Sequence, residues 1–166
     1  ADENQTDIGT VAAEDPFGST VTFAISGADA NLISLDSSTG TLTFNSAPDF
    51  ETKSSYVILV TANGSVADSE QEITININNL NDNSPIITSA SSFTADENQT
   101  NAATISASDA DGDSLNFSVS GSDLSISSEG KLTFTTAPDY ENNSSYSATI
   151  TVSDGAFSVT QDISVT

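Results

Sequence analysis

Short clusters of carboxylate and carboxamide side chains punctuate this sequence at wide intervals. They are Asp2-Glu3-Asn4, Asp49-Phe50-Glu51, the run from Asn78 to Pro85 (NNLNDNSP), Asp109-Ala110-Asp111-Gly112-Asp113, and Ser153-Asp154-Gly155. The chain contains no His and no Cys, so zinc–thiolate and imidazole sites, thiol catalysis and disulfide staples are all out of reach. What remains is a set of hard oxygen donors, which select calcium or magnesium over softer ions. Calcium is the better match, because it accepts many oxygens in irregular geometry and releases its water more readily.

Each cluster taken alone has a plainer reading. The DADGD stretch resembles the start of an EF-hand loop, but its Gly follows the second Asp and no Glu stands at the twelfth position. An Asp-x-Asp between strands is ordinary turn chemistry. Asp49 and Glu51 could cap a turn or oppose Lys53, and Glu3 and Glu97 could be exposed charges at strand ends.

The formal charge is −22, from 24 acidic residues against two lysines, Lys53 and Lys131. Phosphate recognition relies on basic residues that are missing here, which excludes nucleic acid as a partner. No long apolar run is present, so direct membrane insertion is not expected. An enzyme is not expected either. No Ser has an evident base beside it, and Asp49 and Glu51 are too close in sequence to flank a glycosidic bond.

The elements that must position these clusters are strands. Val21, Phe23 and Ile25 alternate with polar residues, as do Ile73, Ile75 and Ile77, the period expected where one face is buried. Further strand signals are TLTF, YVILVT, LNFSVS, KLTF, YSATITV and FSVTQDISV, separated by Gly- and Asp-rich turns. The sequence also repeats itself. ADENQT at residues 1–6 returns at 95–100, and TLTFNSAPDFETKSSY at 41–56 returns as KLTFTTAPDYENNSSY at 131–146. This predicts two tandem all-β domains, residues 1–81 and 82–166, each a β-sandwich. The second copy has an extra strand signal, PIITSASSFT, before its ADENQT, so the first domain is expected to lack its first strand.

Taken in order, the acidic clusters resemble the calcium motifs of tandem cadherin repeats: xEx, then DRE or DYE, then DxNDNxP, then DxD and xDx from the following repeat. The resemblance covers almost the whole chain. It implies two seven-stranded Greek-key sandwiches stacked end to end, with about two to three calcium ions in the joint. Carried over residue by residue, it implies ligands Glu3, Asp49 and Glu51 from the first domain. It adds Asn79, Asn81, Asp82 and Asn83 from the linker, and Asp109, Asp111 and Asp154 from the second domain. Carboxylates about 5 Å apart repel by roughly 3 kcal/mol per pair at an effective dielectric of about 20, so such crowding calls for cations.

Two departures temper the pattern. Asn79 stands where the family has the first Asp of its linker motif, which removes one anionic ligand. Above the first domain, Asp15 matches Asp109, but Phe17 replaces Asp111, and Asn63 replaces the Asp of the SDG turn if one gap is allowed. No complete site is expected there. Phe17 is expected to pack locally, and Tyr56 and Tyr146 to be equivalent core residues.

The resemblance implies a calcium-dependent extracellular adhesion or extender module, secreted or on a cell surface. Its partners would be neighbouring repeats of a larger protein and a homophilic partner or surface polysaccharide. Richness in Ser and Thr without Arg points to a bacterial parent. The alternative is a calcium-dependent carbohydrate-binding module, which the absence of Trp disfavours.

Overall fold

The computed structural model describes all residues, Ala1–Thr166. It divides into two compact units, Ala1–Leu80 and Asn81–Thr166. The first unit contains β1 (Asp7–Thr10), β2 (Thr22–Ser26), β3 (Ile33–Leu35), β4 (Thr41–Phe44), β5 (Ser55–Asn63) and β6 (Asp68–Asn76). These form two antiparallel sheets in the orders β1-β4-β3 and β2-β5-β6, so the chain alternates between layers in Greek-key fashion. Between the layers lie Ile33, Leu42 and Phe44 from one sheet and Phe23, Tyr56, Ile58, Val60 and Ile75 from the other. These inward positions alternate with outward ones along β4 and β5, as a strand buried on one face requires.

The second unit repeats this plan with β9 (Asn101–Thr104), β11 (Asn116–Val119), β12 (Leu124–Ile126), β13 (Lys131–Phe134), β14 (Tyr146–Ser153) and β15 (Ser158–Val165). Three further short strands are β7 (Ile86–Ile87), β8 (Ser92–Phe93) and β10 (Ala107–Ser108). The leading segment of this unit is split between edges, since β7 pairs antiparallel with β10 while β8 pairs parallel with β15. In the first unit the parallel contact is reduced to one bridge, Asp2 with Asn78.

Equivalent residues do equivalent work in the two cores. Phe44 meets Tyr56 at a ring separation of 4.9 Å, and Phe134 meets Tyr146 at 5.0 Å. Gly40 and Gly130 sit at φ of 73° and 78°, where Val11 and Ile105 donate their backbone N–H to the glycine carbonyls. A Cβ at either glycine would fall 2.2 Å from the carbonyl oxygen of Val11 or Ile105, so only glycine admits that approach. Lys53 reaches neither Asp49 nor Glu51 as its ion-pair partner. Its Nζ donates to Asp29 at 2.7 Å, and the other Asp29 oxygen accepts the Val57 N–H at 2.8 Å.

Candidate metal centre

In the first unit, ADENQT turns sharply at Asn4, whose φ of 62° is a conformation Asn tolerates better than most residues. The turn lets Asn4 N–H donate to the Pro48 carbonyl at 3.0 Å and carries Glu3 inward. Glu3 is 1% exposed, an extreme burial for a carboxylate. Its two oxygens each accept a backbone N–H, from Phe50 at 2.8 Å and from Leu80 at 2.6 Å. Glu3, Asp49 and Glu51 bring carboxylate oxygens within 4.8 Å of one another. Asp49 also accepts the Thr52 hydroxyl and backbone N–H, which hold it below the usual carboxylate range. Asn79 is exposed on this unit's last segment. The equivalent trio of the second unit, Glu97, Asp139 and Glu141, is also gathered within 4.8 Å, but all three are exposed.

The second unit draws a further acidic cluster from three loops. Asp109 directly follows β10 and folds the next turn over itself, its Oδ1 accepting the N–H groups of Asp111 at 3.0 Å and Asp113 at 3.3 Å. Asp154 does the same between β14 and β15, accepting Ala156 N–H at 2.7 Å and Phe157 N–H at 2.6 Å on its Oδ1. Asp111 Oδ2 accepts the N–H groups of Asp82 at 3.1 Å and Asn83 at 2.9 Å, and its Oδ1 accepts the Asn83 side-chain amide at 2.7 Å. The segment Asn81–Asn83 is thereby laid along the Asp109 turn.

Three oxygens then remain buried with no hydrogen-bond partner: Asn81 Oδ1, Asp109 Oδ2 and Asp154 Oδ2. Folded proteins rarely leave such atoms unsatisfied, because each forfeits its hydration. Asp113 is pushed above the usual carboxylate range by desolvation first, then by the charges of Asp109, Asp111 and Asp154. Oxygens of Asp109, Asp111 and Asp113 lie within 4.8 Å of one another. Sequence reasoning overlooked Asp113, although its alternation with Asp109 and Asp111 in DADGD was a visible signal.

At the matching end of the first unit the chemistry is different. Asp15 uses Oδ1 for Phe17 N–H at 2.8 Å and Ser19 N–H at 3.4 Å, the same turn as at Asp109. Its Oδ2, however, accepts both the N–H and the hydroxyl of Ser65, at 2.9 and 2.7 Å. Led by these Ser65 bonds, the Asp15 pKa falls to about 2. The strand register also corrects the gapped alignment. Asn63 pairs with Thr22 as Ser153 pairs with Asn116, so the position equivalent to Asp154 is Gly64, not Asn63. Asn63 instead donates its amide to the Thr22 carbonyl at 3.1 Å. Phe17 does not pack locally as expected. It is 76% exposed, since the Asp15 turn directs it away from the core.

The sequence profile of the bacterial Ig domain matches residues 81–166, slightly more than half of the chain. The chain belongs to the bacterial Ig domain family. No curated protein sequence matches this bacterial Ig domain protein. Among solved structures it is similar to the EC22-24 fragment of mouse cadherin-23, with TM-score 0.82 and 21% identity over 99% of this chain and 61% of that one. It is also similar to human protocadherin-24 EC1-2, with TM-score 0.77 and 18% identity over 100% and 89% of the two chains. The human desmocollin-1 ectodomain aligns at TM-score 0.73 and 20% identity, over 98% of this chain and 36% of that one. The bacterial Ig domain protein therefore has the fold of tandem cadherin repeats. No helix in it is long and apolar enough to cross a membrane.

Proposed function

We propose that this chain is a calcium-dependent extracellular adhesion or extender module, in which calcium stiffens the connection between tandem repeats. The observation that carries the reading is the set of buried, unpartnered oxygens on Asn81, Asp109 and Asp154, together with the carboxylate oxygens of Asp109, Asp111 and Asp113 that lie within 4.8 Å of one another. Oxygen donors in irregular array suit calcium, whereas magnesium demands near-ideal octahedral geometry and keeps its water. In this reading the second unit contributes Asn81, Asp82, Asn83, Asp109, Asp111 and Asp154. The first contributes Glu3, Asp49 and Glu51, with Asn79 as a neutral donor, and together they take about two to three ions. A bound divalent ion supplies positive charge that offsets carboxylate repulsion and stabilises the folded state by mass action.

The segment between the units has a part in this scheme. Leu80 N–H is held by Glu3 in the first unit, and the N–H groups of Asp82 and Asn83 are held by Asp111 in the second. Ions drawing on both carboxylate groups would remove the freedom of the few residues that connect them. Modest sites of this kind stay filled at extracellular calcium levels, which favours a secreted or surface location on a bacterial multi-repeat protein. The role is mechanical rather than enzymatic, with neighbouring repeats as the immediate partners and a homophilic or polysaccharide partner beyond them.

Calcium titration calorimetry on the metal-stripped chain, paired with small-angle scattering, tests the proposal. Saturable uptake with a longer, narrower distance distribution is expected. Absence of calcium heats, or scattering curves unchanged by calcium, would overturn it.

A further inference from the structure

We propose that Asp113 is a direct cation ligand, so that the turn from Asp109 to Asp113 donates three carboxylates rather than the two of the Asp-x-Asp motif. The inference rests on the calcium reading above and adds a residue that the resemblance to cadherin motifs does not assign. Three observations carry it.

The first is geometric. A carboxylate oxygen of Asp113 lies within 4.8 Å of oxygens on both Asp109 and Asp111, a separation one cation can span. The main chain holds this placement, since Asp113 N–H donates to Asp109 Oδ1 at 3.3 Å.

The second is an internal control. The same turn in the first unit has Ser19 where the second has Asp113, and Ser19 N–H donates to Asp15 Oδ1 at 3.4 Å in the same manner. The turn therefore forms without an acidic side chain at that position. A carboxylate appears there only in the unit whose neighbouring oxygens are buried and unpartnered.

The third is the lack of any other employment. Asp15, Asp29 and Asp36 each accept hydrogen bonds from named donors. Asp113 has acidic neighbours in Asp109, Asp111 and Asp154 instead, and the chain has only two lysines to offer, one of them paired with Asp29. Asp113, with Asp109 and Asp111 whose oxygens lie within 4.8 Å of its own, belongs to the unit Asn81–Thr166, as do Asn81 and Asp154. One carboxylate is thus restored on this side, while Asn79 lacks the charge of the linker Asp.

The test is calcium calorimetry on the full chain and on Asp113→Asn, each repeated in about 0.5 M NaCl, where the screening length falls to a few ångströms. Asp113→Asn is expected to weaken one class of site about tenfold or more, and the deficit is expected to persist at high salt, as a direct contact requires. Thermal unfolding in chelator should show the variant folded and at least as stable as the parent. An isotherm identical to the parent's would overturn the inference while leaving the calcium reading intact. A deficit that vanishes in salt would also overturn it, because Asp113 would then act only through its field. A parent chain that takes up no calcium would sink both.

Discussion

Asp15 and Asp109 occupy the same place in two copies of one fold, and each closes the same turn through Oδ1. Their second oxygens part company. Asp15 Oδ2 is claimed by the backbone and hydroxyl of Ser65, whereas Asp109 Oδ2 is buried with no partner. The residue equivalent to Ser65 is Gly155, which has no hydroxyl, and its N–H goes to Ser153 Oγ at 3.1 Å. One serine thus converts a metal-type carboxylate into a structural clamp between two turns. An acidic residue at a motif position is a ligand only if the surrounding donors leave it one.

Calcium-dependent stability should separate the two residues most clearly. Asp109→Asn, which keeps a side-chain oxygen to close the turn, is expected to abolish most of the gain conferred by calcium, about 2.7 kcal/mol at a hundredfold excess over the dissociation constant, or roughly 10–20 °C in Tm for a domain of this size. In chelator the same substitution should shift Tm far less, and an equal loss in both conditions would break the comparison.

Rebuilding the missing site in the first unit should fail. Gly64→Asp places a Cβ 2.7 Å from the Ala67 carbonyl oxygen and 3.3 Å from Asp15 Oδ2, so a destabilisation of about 1–3 kcal/mol is expected from overpacking. Added calcium should not relieve it, and calorimetry should find no new site.

Acid should report on the clamp. The Asp15 carboxyl is held down to about 2, below the ordinary carboxylate range, so its contribution is fully present above about 4 and lost as pH falls toward 2. Asp36, held to about 2 chiefly by the Ser38 hydroxyl, adds to the same window. Ser65→Ala should flatten the stability loss between pH 4 and 2 in chelator, measured by thermal unfolding across that range.

The smallest effect is expected at Phe17, the counterpart of Asp111. With its ring 76% exposed, Phe17→Asp should change stability by about 0.5 kcal/mol or less, and calcium uptake should stay that of the parent, since Asp15 Oδ2 remains occupied.

Strands with long alternating patterns were legible from residue types. TLTF and KLTF coincide with β4 and β13, and the YVILVT and YSATITV signals fall inside or along β5 and β14. Strands such as β1, β9 and β10 were not legible. Sequences like NAAT or AS have no periodicity to read, and they become strands only because a partner offers a ladder. The break between β7 and β8 is likewise set by which edge each piece meets.

What the sequence determined by itself was the donor chemistry, since removing His and Cys leaves only hard oxygens, and the repeat, since identical motifs fold alike. The equivalence of Gly64 with Asp154, the burial of Glu3 and the unmet oxygens of Asn81, Asp109 and Asp154 were decided only by tertiary structure. The reason is that satisfaction of a polar atom depends on donors far away in the chain: Ser65 stands fifty residues from Asp15, and Leu80 seventy-seven from Glu3. Residue type fixes what an oxygen can bind, and packing decides whether it is still available to do so.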